Sequence, residues 1–184
     1  MNKEQFISEL KKMNITLTEE QMNQLEIYKD FLIEYNTHTN LTAIKEEESI
    51  YLKHFYDSLT INKFIKNGIK VLDIGTGAGF PGMVLAIINK ESHFTLLDSN
   101  NKKITFLNLL KEKLKLTNVE IIYERAEDYV KNHKEKFDIV TSRAVAELRI
   151  LAEISIPALK IKGYFIPLKA NIEKEMNLLK NALI

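Results

Sequence analysis

The stretch that decides the fold is Asp73-Ile74-Gly75-Thr76-Gly77-Ala78-Gly79-Phe80-Pro81-Gly82, an acidic residue and four glycines between two apolar runs. Ile69 to Ile74 precedes it and is strand length, while Met83 to Asn89 follows with helical spacing. Glycines at such a junction let the backbone turn sharply and leave no Cβ between the peptide and whatever lies against it. Pro81 suits the first turn of the next helix, where its missing N–H costs nothing.

The same alternation continues beyond Gly82. Short apolar runs at Phe94 to Leu97, Val119 to Tyr123, Phe137 to Thr141 and Tyr164 to Leu168 read as strands. Between them Lys102 to Leu114, Glu127 to His133 and Val145 to Leu159 have helical spacing. Strand and helix in alternation predict an α/β fold with a parallel sheet covered on both faces by right-handed crossovers. Before Gly68 the texture is helical throughout. Phe6, Leu10 and Met13 share a face, and Thr18-Glu19-Glu20-Gln21 forms a capping box that opens a helix through Leu25, Tyr28, Leu32 and Tyr35, ending near Asn36. A further helical segment carries Ile50, Phe55, Leu59 and Ile61 before Asn67-Gly68 breaks it. Residues 1–66 are thus expected to form a helical extension packed on a core of residues 67–184.

Bulk properties narrow the chemistry. The 184 residues suffice for one domain with a real core, and a net charge of +1 requires any polyanion to meet basic residues gathered on one face. No apolar run approaches the roughly 20 residues of a membrane span, and Met1 to Met13 lacks the pattern of a secretory signal, so a cytoplasmic, non-membrane protein is expected. The absence of cysteine removes thiolate metal sites and cysteine nucleophiles together. His38, His54, His93 and His133 show no metal-ligand spacing, so no metal is expected, and His54 reads as a core or capping residue beside Phe55.

In an open parallel sheet the ligand sits beyond the carboxyl ends of the strands, where the glycine turn lies. Gly77-Ala78-Gly79-Phe80-Pro81-Gly82 satisfies the dinucleotide pattern G-x-G-x-x-G, which alone discriminates little. Asp73 argues against a diphosphate, which seeks the positive end of a helix away from carboxylates, and for a ligand with cationic groups such as S-adenosylmethionine. Asp98 ends the next strand about twenty residues after the glycines, where it can accept both hydroxyls of a ribose; that serves either ligand. The polar run Tyr123-Glu124-Arg125-Ala126-Glu127-Asp128 ends the third strand, where an adenine edge can be read. Lys102 and Lys103 open a helix whose dipole they do not help, which leaves a phosphate as their natural partner.

Taken in order, Asn40-Leu41-Thr42, His54 to Leu59, Asp73 to Gly82, Leu97-Asp98-Ser99, Phe137-Asp138, Ser142-Arg143-Ala144 and Leu168-Lys169 resemble the RsmG family, also called GidB. These are bacterial methyltransferases that use S-adenosylmethionine to methylate guanine N7 at position 527 of 16S ribosomal RNA. The resemblance implies a Rossmann-like class I methyltransferase fold with an N-terminal helical extension. It implies a cofactor pocket of Gly75, Gly77, Gly79 and Phe80 at the first turn, with Asp98 on the ribose and Ala126-Glu127 beside the adenine; Asp73 joins that pocket on the charge argument above. Arg143 matches the family arginine at the pocket mouth, a positioning group in a site with no acid or base, and Lys102, Lys103, Arg125 and Lys169 match basic positions turned toward RNA or the active site. Its partner would be 16S rRNA or the small ribosomal subunit, with the protein a monomer. Family members usually continue into two further strands, whereas this sequence stops at Ile184, so five strands in the order 3-2-1-4-5 are expected.

Two other readings compete: an NAD-dependent oxidoreductase, for which no proton relay or nicotinamide pocket is visible, and a non-catalytic RNA-binding module, against which the intact glycine turn and Asp98 speak. The omissions suit attack by guanine N7, whose lone pair needs no base.

Overall fold

A computed structural model describes residues 1–39, 41–43, 46–143 and 146–169. Asn40, Ala144, the expected helix start at Val145, and residues 170–184 lie outside the described residues.

Five parallel strands, β1 (Lys70–Ile74), β2 (His93–Asp98), β3 (Val119–Tyr123), β4 (Phe137–Arg143) and β5 (Leu159–Leu168), form one sheet in the order β3-β2-β1-β4-β5. The expected order is therefore the observed one. Asp73 and Ile74 pair with Leu96 and Leu97, and Asp98 pairs with Tyr123, so the polar ends of three strands fall side by side. Switching from β3-β2-β1 to β4 opens the crevice there, as in other open α/β sheets.

Each central strand is buried on both faces, which explains its unbroken apolar run. Val71, Phe94, Leu96 and Ile139 join one hydrophobic cluster, and Leu72, Leu97, Val140 and Phe137 join the other. The first cluster also contains Phe6 and Leu10 of α1 (Lys3–Lys12), Leu25, Tyr28 and Leu32 of α2 (Glu19–Thr39), Met83 of α5 (Gly82–Ile88) and Leu107 of α6 (Asn101–Leu114). Between α2 and the sheet run α3 (Glu47–Ile50), a π-helical turn (Tyr51–Tyr56) and α4 (Asp57–Leu59). On the opposite face lie α7 (Ala126–Asn132), with Tyr129 and Val130 in the second cluster, and α8 (Leu148–Ser155), which contacts it.

The capping box at Thr18 forms as read: the Gln21 N–H donates to Thr18 Oγ1 at 3.1 Å, and the Thr18 N–H to Gln21 Oε1 at 2.9 Å. The helix expected to reach Leu159 ends at Ser155, where a 3-10 turn (Ile156–Ala158) leads into β5, and two further boundaries differ from expectation. Helix α2 continues past Asn36 to Thr39, because Asn36 is not a stop: it is buried, and its amide clasps the backbone of Thr42, accepting from its N–H at 3.0 Å and donating to its carbonyl at 2.9 Å. Strand β5 begins at Leu159, not Tyr164. Leu159 pairs with Phe137 and Tyr164 with Ile139, so a bulge containing Lys162 at φ +68° interrupts the alternation from which the strand was read.

Candidate active site at the carboxyl edge of the sheet

The glycine turn folds back on β2, with the N–H groups of Gly75 and Thr76 both donating to the Leu97 carbonyl, at 2.8 and 3.1 Å. Gly77 stands at φ +63° with nothing within 4 Å of where a Cβ would be, so its bare face meets open space. Its N–H donates to Asp98 Oδ2 at 2.9 Å, and the Asn100 N–H donates to Asp98 Oδ1 at 2.9 Å. Each carboxylate oxygen keeps a second lone pair. Lys103 Nζ lies 3.7 Å from the same carboxylate.

These groups line a cavity of about 680 Å³, within the roughly 300–1,000 Å³ of small-molecule sites. Gly75, Gly77, Phe80, Asp98, Lys103, Arg125, Ala126, Glu127 and Arg143 from the sequence reading are all on its wall, joined by Leu41, Thr42, His54 and Glu124. Lys102 is exposed on the first turn of α6, and Lys169 is half-buried just past β5; neither is on the wall.

Two expected cofactor residues are not there either. Gly79, at φ +102°, is buried, and a Cβ on it would lie 2.5 Å from the Tyr28 hydroxyl and 2.9 Å from Met83 Cβ. Its smallness serves packing. Asp73 is fully buried: Oδ2 accepts from the Thr76 hydroxyl at 2.7 Å and the Gly82 N–H at 2.8 Å, while Oδ1 has no partner. Burial pushes its carboxyl up to about 7, against the pull of those two donors. Its charge therefore does not face a ligand, and the discrimination between cofactors expected of it takes another route. A dinucleotide's diphosphate rests on the N–H groups that open the helix after the turn. Here Asp73 takes the first of these, that of Gly82.

At the opposite wall, Arg143 ends β4. Its Nη1 donates to the Lys53 carbonyl at 2.8 Å and lies 3.5 Å from Asp57 Oδ2; its Nη2 lies 2.9 Å from His54 Nδ1. The guanidinium carbon is 4.9 Å from the centre of the Phe80 ring. Phe80 is itself stacked with His54, at 4.2 Å and 8°, and with Tyr28, at 5.2 Å and 1°. His54 is buried, as expected of a core residue, and it also reaches the cavity wall, which the sequence reading does not anticipate. The sequence shows it in a helical segment beside Phe55, and only the chain's path from β4 brings Arg143 onto it. Burial, then Arg143, hold its imidazolium form down, to about 3, so the ring is neutral.

The wall presents a carboxylate with free lone pairs at Asp98, a bare glycine backbone, and a helix start whose first N–H is already occupied, which suits a ribose-bearing ligand without a diphosphate. Strand order and site together define the S-adenosylmethionine-dependent methyltransferase fold. A SAM-dependent methyltransferase from Aquifex aeolicus superposes with a TM-score of 0.60 at 18% identity, covering 78% of this chain and 86% of that one. A precorrin-6y C5,15-methyltransferase from Geobacter metallireducens gives 0.57 at 14%, covering 79% and 73%.

Residues 21–184 match the family model GidB, rRNA small subunit methyltransferase G, and the chain belongs to that family. Relatives named ribosomal RNA small subunit methyltransferase G are 47% identical in Fusobacterium nucleatum, over 98% of this chain and 78% of theirs, and 47% identical in Lactobacillus helveticus, over 100% and 79%.

Proposed function

We propose that the protein methylates N7 of guanine 527 in 16S ribosomal RNA, as a cytoplasmic monomer acting on the rRNA or the small subunit. When bound, S-adenosylmethionine supplies a methyl group on a sulfonium. Asp98 would hold the ribose through the lone pairs that Gly77 and Asn100 leave free, with Gly75, Gly77 and Phe80 along the tail and Ala126 and Glu127 beside the adenine. The observation that carries the reading is the pairing of this pocket, with Asp98 and the glycine turn on one wall, with the fixed Arg143 guanidinium on the other. His54 is neutral, but its Nδ1 lone pair is already engaged by Arg143.

Neutral guanine N7 has a lone pair, so the site must align the base and need not remove a proton. That lone pair must be left bare. An N–H placed on N7 would block transfer, so Arg143 is assigned to O6 or to the face of the base. The base must also be unstacked to reach the cavity. Lys102, Lys103, Arg125 and Lys169 are proposed to meet RNA phosphates. Three are exposed or on the cavity wall, and their contribution should weaken with added salt.

The test incubates the protein with methyl-labelled S-adenosylmethionine and small subunits, or 16S rRNA, from cells lacking this modification, then maps the label. One N7-methylguanine at position 527 is expected. Label at another atom or position would overturn the proposal.

A further inference from the structure

Arg143 is braced by a string of polar contacts that reaches back to α2. Guanidinium groups only donate, so the 2.9 Å contact between Arg143 Nη2 and His54 Nδ1 requires a lone pair on Nδ1. The imidazole proton therefore sits on Nε2, which lies 3.2 Å from Thr42 Oγ1. Thr42 is in turn clasped on both sides of its backbone by the buried amide of Asn36. The Lys53 carbonyl and Asp57 carboxylate that take the other Arg143 contacts come from the π-helical turn holding His54 and from the residue after it. Such turns recur at functional sites. Among the described residues, the Arg143 Nε–H and one Nη2–H meet no acceptor.

We propose that His54 is a positioning residue for methyl transfer: its unprotonated Nδ1 fixes the Arg143 guanidinium, and its Nε2–H anchors that arrangement to Thr42, leaving two guanidinium N–H groups for the acceptor base. This rests on the reading of Arg143 as the group that receives the guanine. Stacking on Phe80 holds the imidazole in plane, so the ring and its two nitrogens act together. A protonated ring would set two cations 2.9 Å apart, and the burial that disfavours the imidazolium keeps Nδ1 available.

Two substitutions separate the roles. His54→Phe keeps a ring against Phe80 and removes both hydrogen bonds; His54→Asn returns an oxygen near Nδ1 without the ring. His54→Phe is expected to lower kcat by about 10- to 100-fold while the Kd for S-adenosylmethionine, read by calorimetry, stays within about threefold, with His54→Asn recovering part of the loss. In an Arg143→Ala background the same change should alter kcat by less than about twofold, because the group it positions is gone. An equal loss in both backgrounds, or a cofactor Kd that worsens as much as kcat falls, would overturn the proposal. Independently of activity, ¹⁵N NMR of imidazole-labelled protein should show His54 as the Nε2–H tautomer from pH 5 to 8. A proton on Nδ1, or titration in that range, would show the contact to be absent. The expected tautomer in a wild-type protein that leaves guanine N7 unmethylated would place the failure in the function proposed above.

Discussion

Asp73 has one oxygen served twice and the other not served at all. A buried carboxylate in that state favours its proton, and the carboxyl is pushed up to about 7 by burial. Below about pH 4 both the folded and the unfolded chain hold that proton; from about 4 to 7 only the folded chain keeps it, so this group's stabilising contribution is lost as pH rises through the window and is level above it. Asp73→Asn preserves the acceptor for Thr76 and Gly82 and removes the titration. Urea unfolding at a series of pH values should show wild type losing stability relative to Asp73→Asn, by on the order of a few kcal/mol between pH 4.5 and 7.5; a pH-independent difference would refute the assignment. Asp98 carries the opposite expectation. It is on the cavity wall, so Asp98→Ala should weaken S-adenosylmethionine binding by about 10- to 100-fold in calorimetry, the value of one or two charge-assisted hydrogen bonds. Unchanged affinity would remove it from the site.

The glycine turn separates two demands that look alike in one dimension. Gly77 faces open space, so Gly77→Ala meets no atom and pays mainly for its left-handed backbone, about 1–2 kcal/mol, while placing a methyl toward the cavity. Gly79→Ala meets Tyr28, whose hydroxyl is held by its hydrogen bond to the Ala78 carbonyl, and Met83 at its Cβ. Thermal unfolding should therefore drop further in Gly79→Ala than in Gly77→Ala, while cofactor affinity per folded molecule drops further in Gly77→Ala; the reverse order would reverse the two roles. Sequence alone grouped the two because both satisfy one motif. What it read well were elements whose periodicity is local: β1 to β4, the Thr18 capping box, and Asp98 at a strand end. It lost β5 before Tyr164, where the bulge at Lys162 breaks the period, and it overshot Asp73, whose place in the motif does not reveal which way its carboxylate turns. His54 was out of reach for a further reason. Its partner Arg143 lies 89 residues away, and nothing local to either residue encodes that meeting.

Across the whole molecule, the helical extension and the sheet share one hydrophobic cluster, running from Phe6 and Leu25 through Phe55 and Phe80 to Val71 and Leu96. Tyr28 joins the extension directly to the glycine turn: its ring stacks on Phe80, and its buried hydroxyl donates to the carbonyl of Ala78. A ligand that orders the turn should therefore order α2 as well. Binding that favours only the native state adds about 2.7 kcal/mol at a ligand concentration one hundred times Kd, and every segment that opens solely by unfolding with the site shares that gain. Hydrogen exchange with and without S-adenosylhomocysteine should show slower exchange at the backbone amides of residues 25 to 32 in α2 as well as at the strand ends, and Tyr28→Phe should reduce the effect in α2 more than at β2. Residues 1–66 would then behave as part of the binding unit. Protection confined to residues 70–130, with α2 indifferent to ligand, would show instead that the extension opens on its own and that the shared cluster does not couple it to the turn.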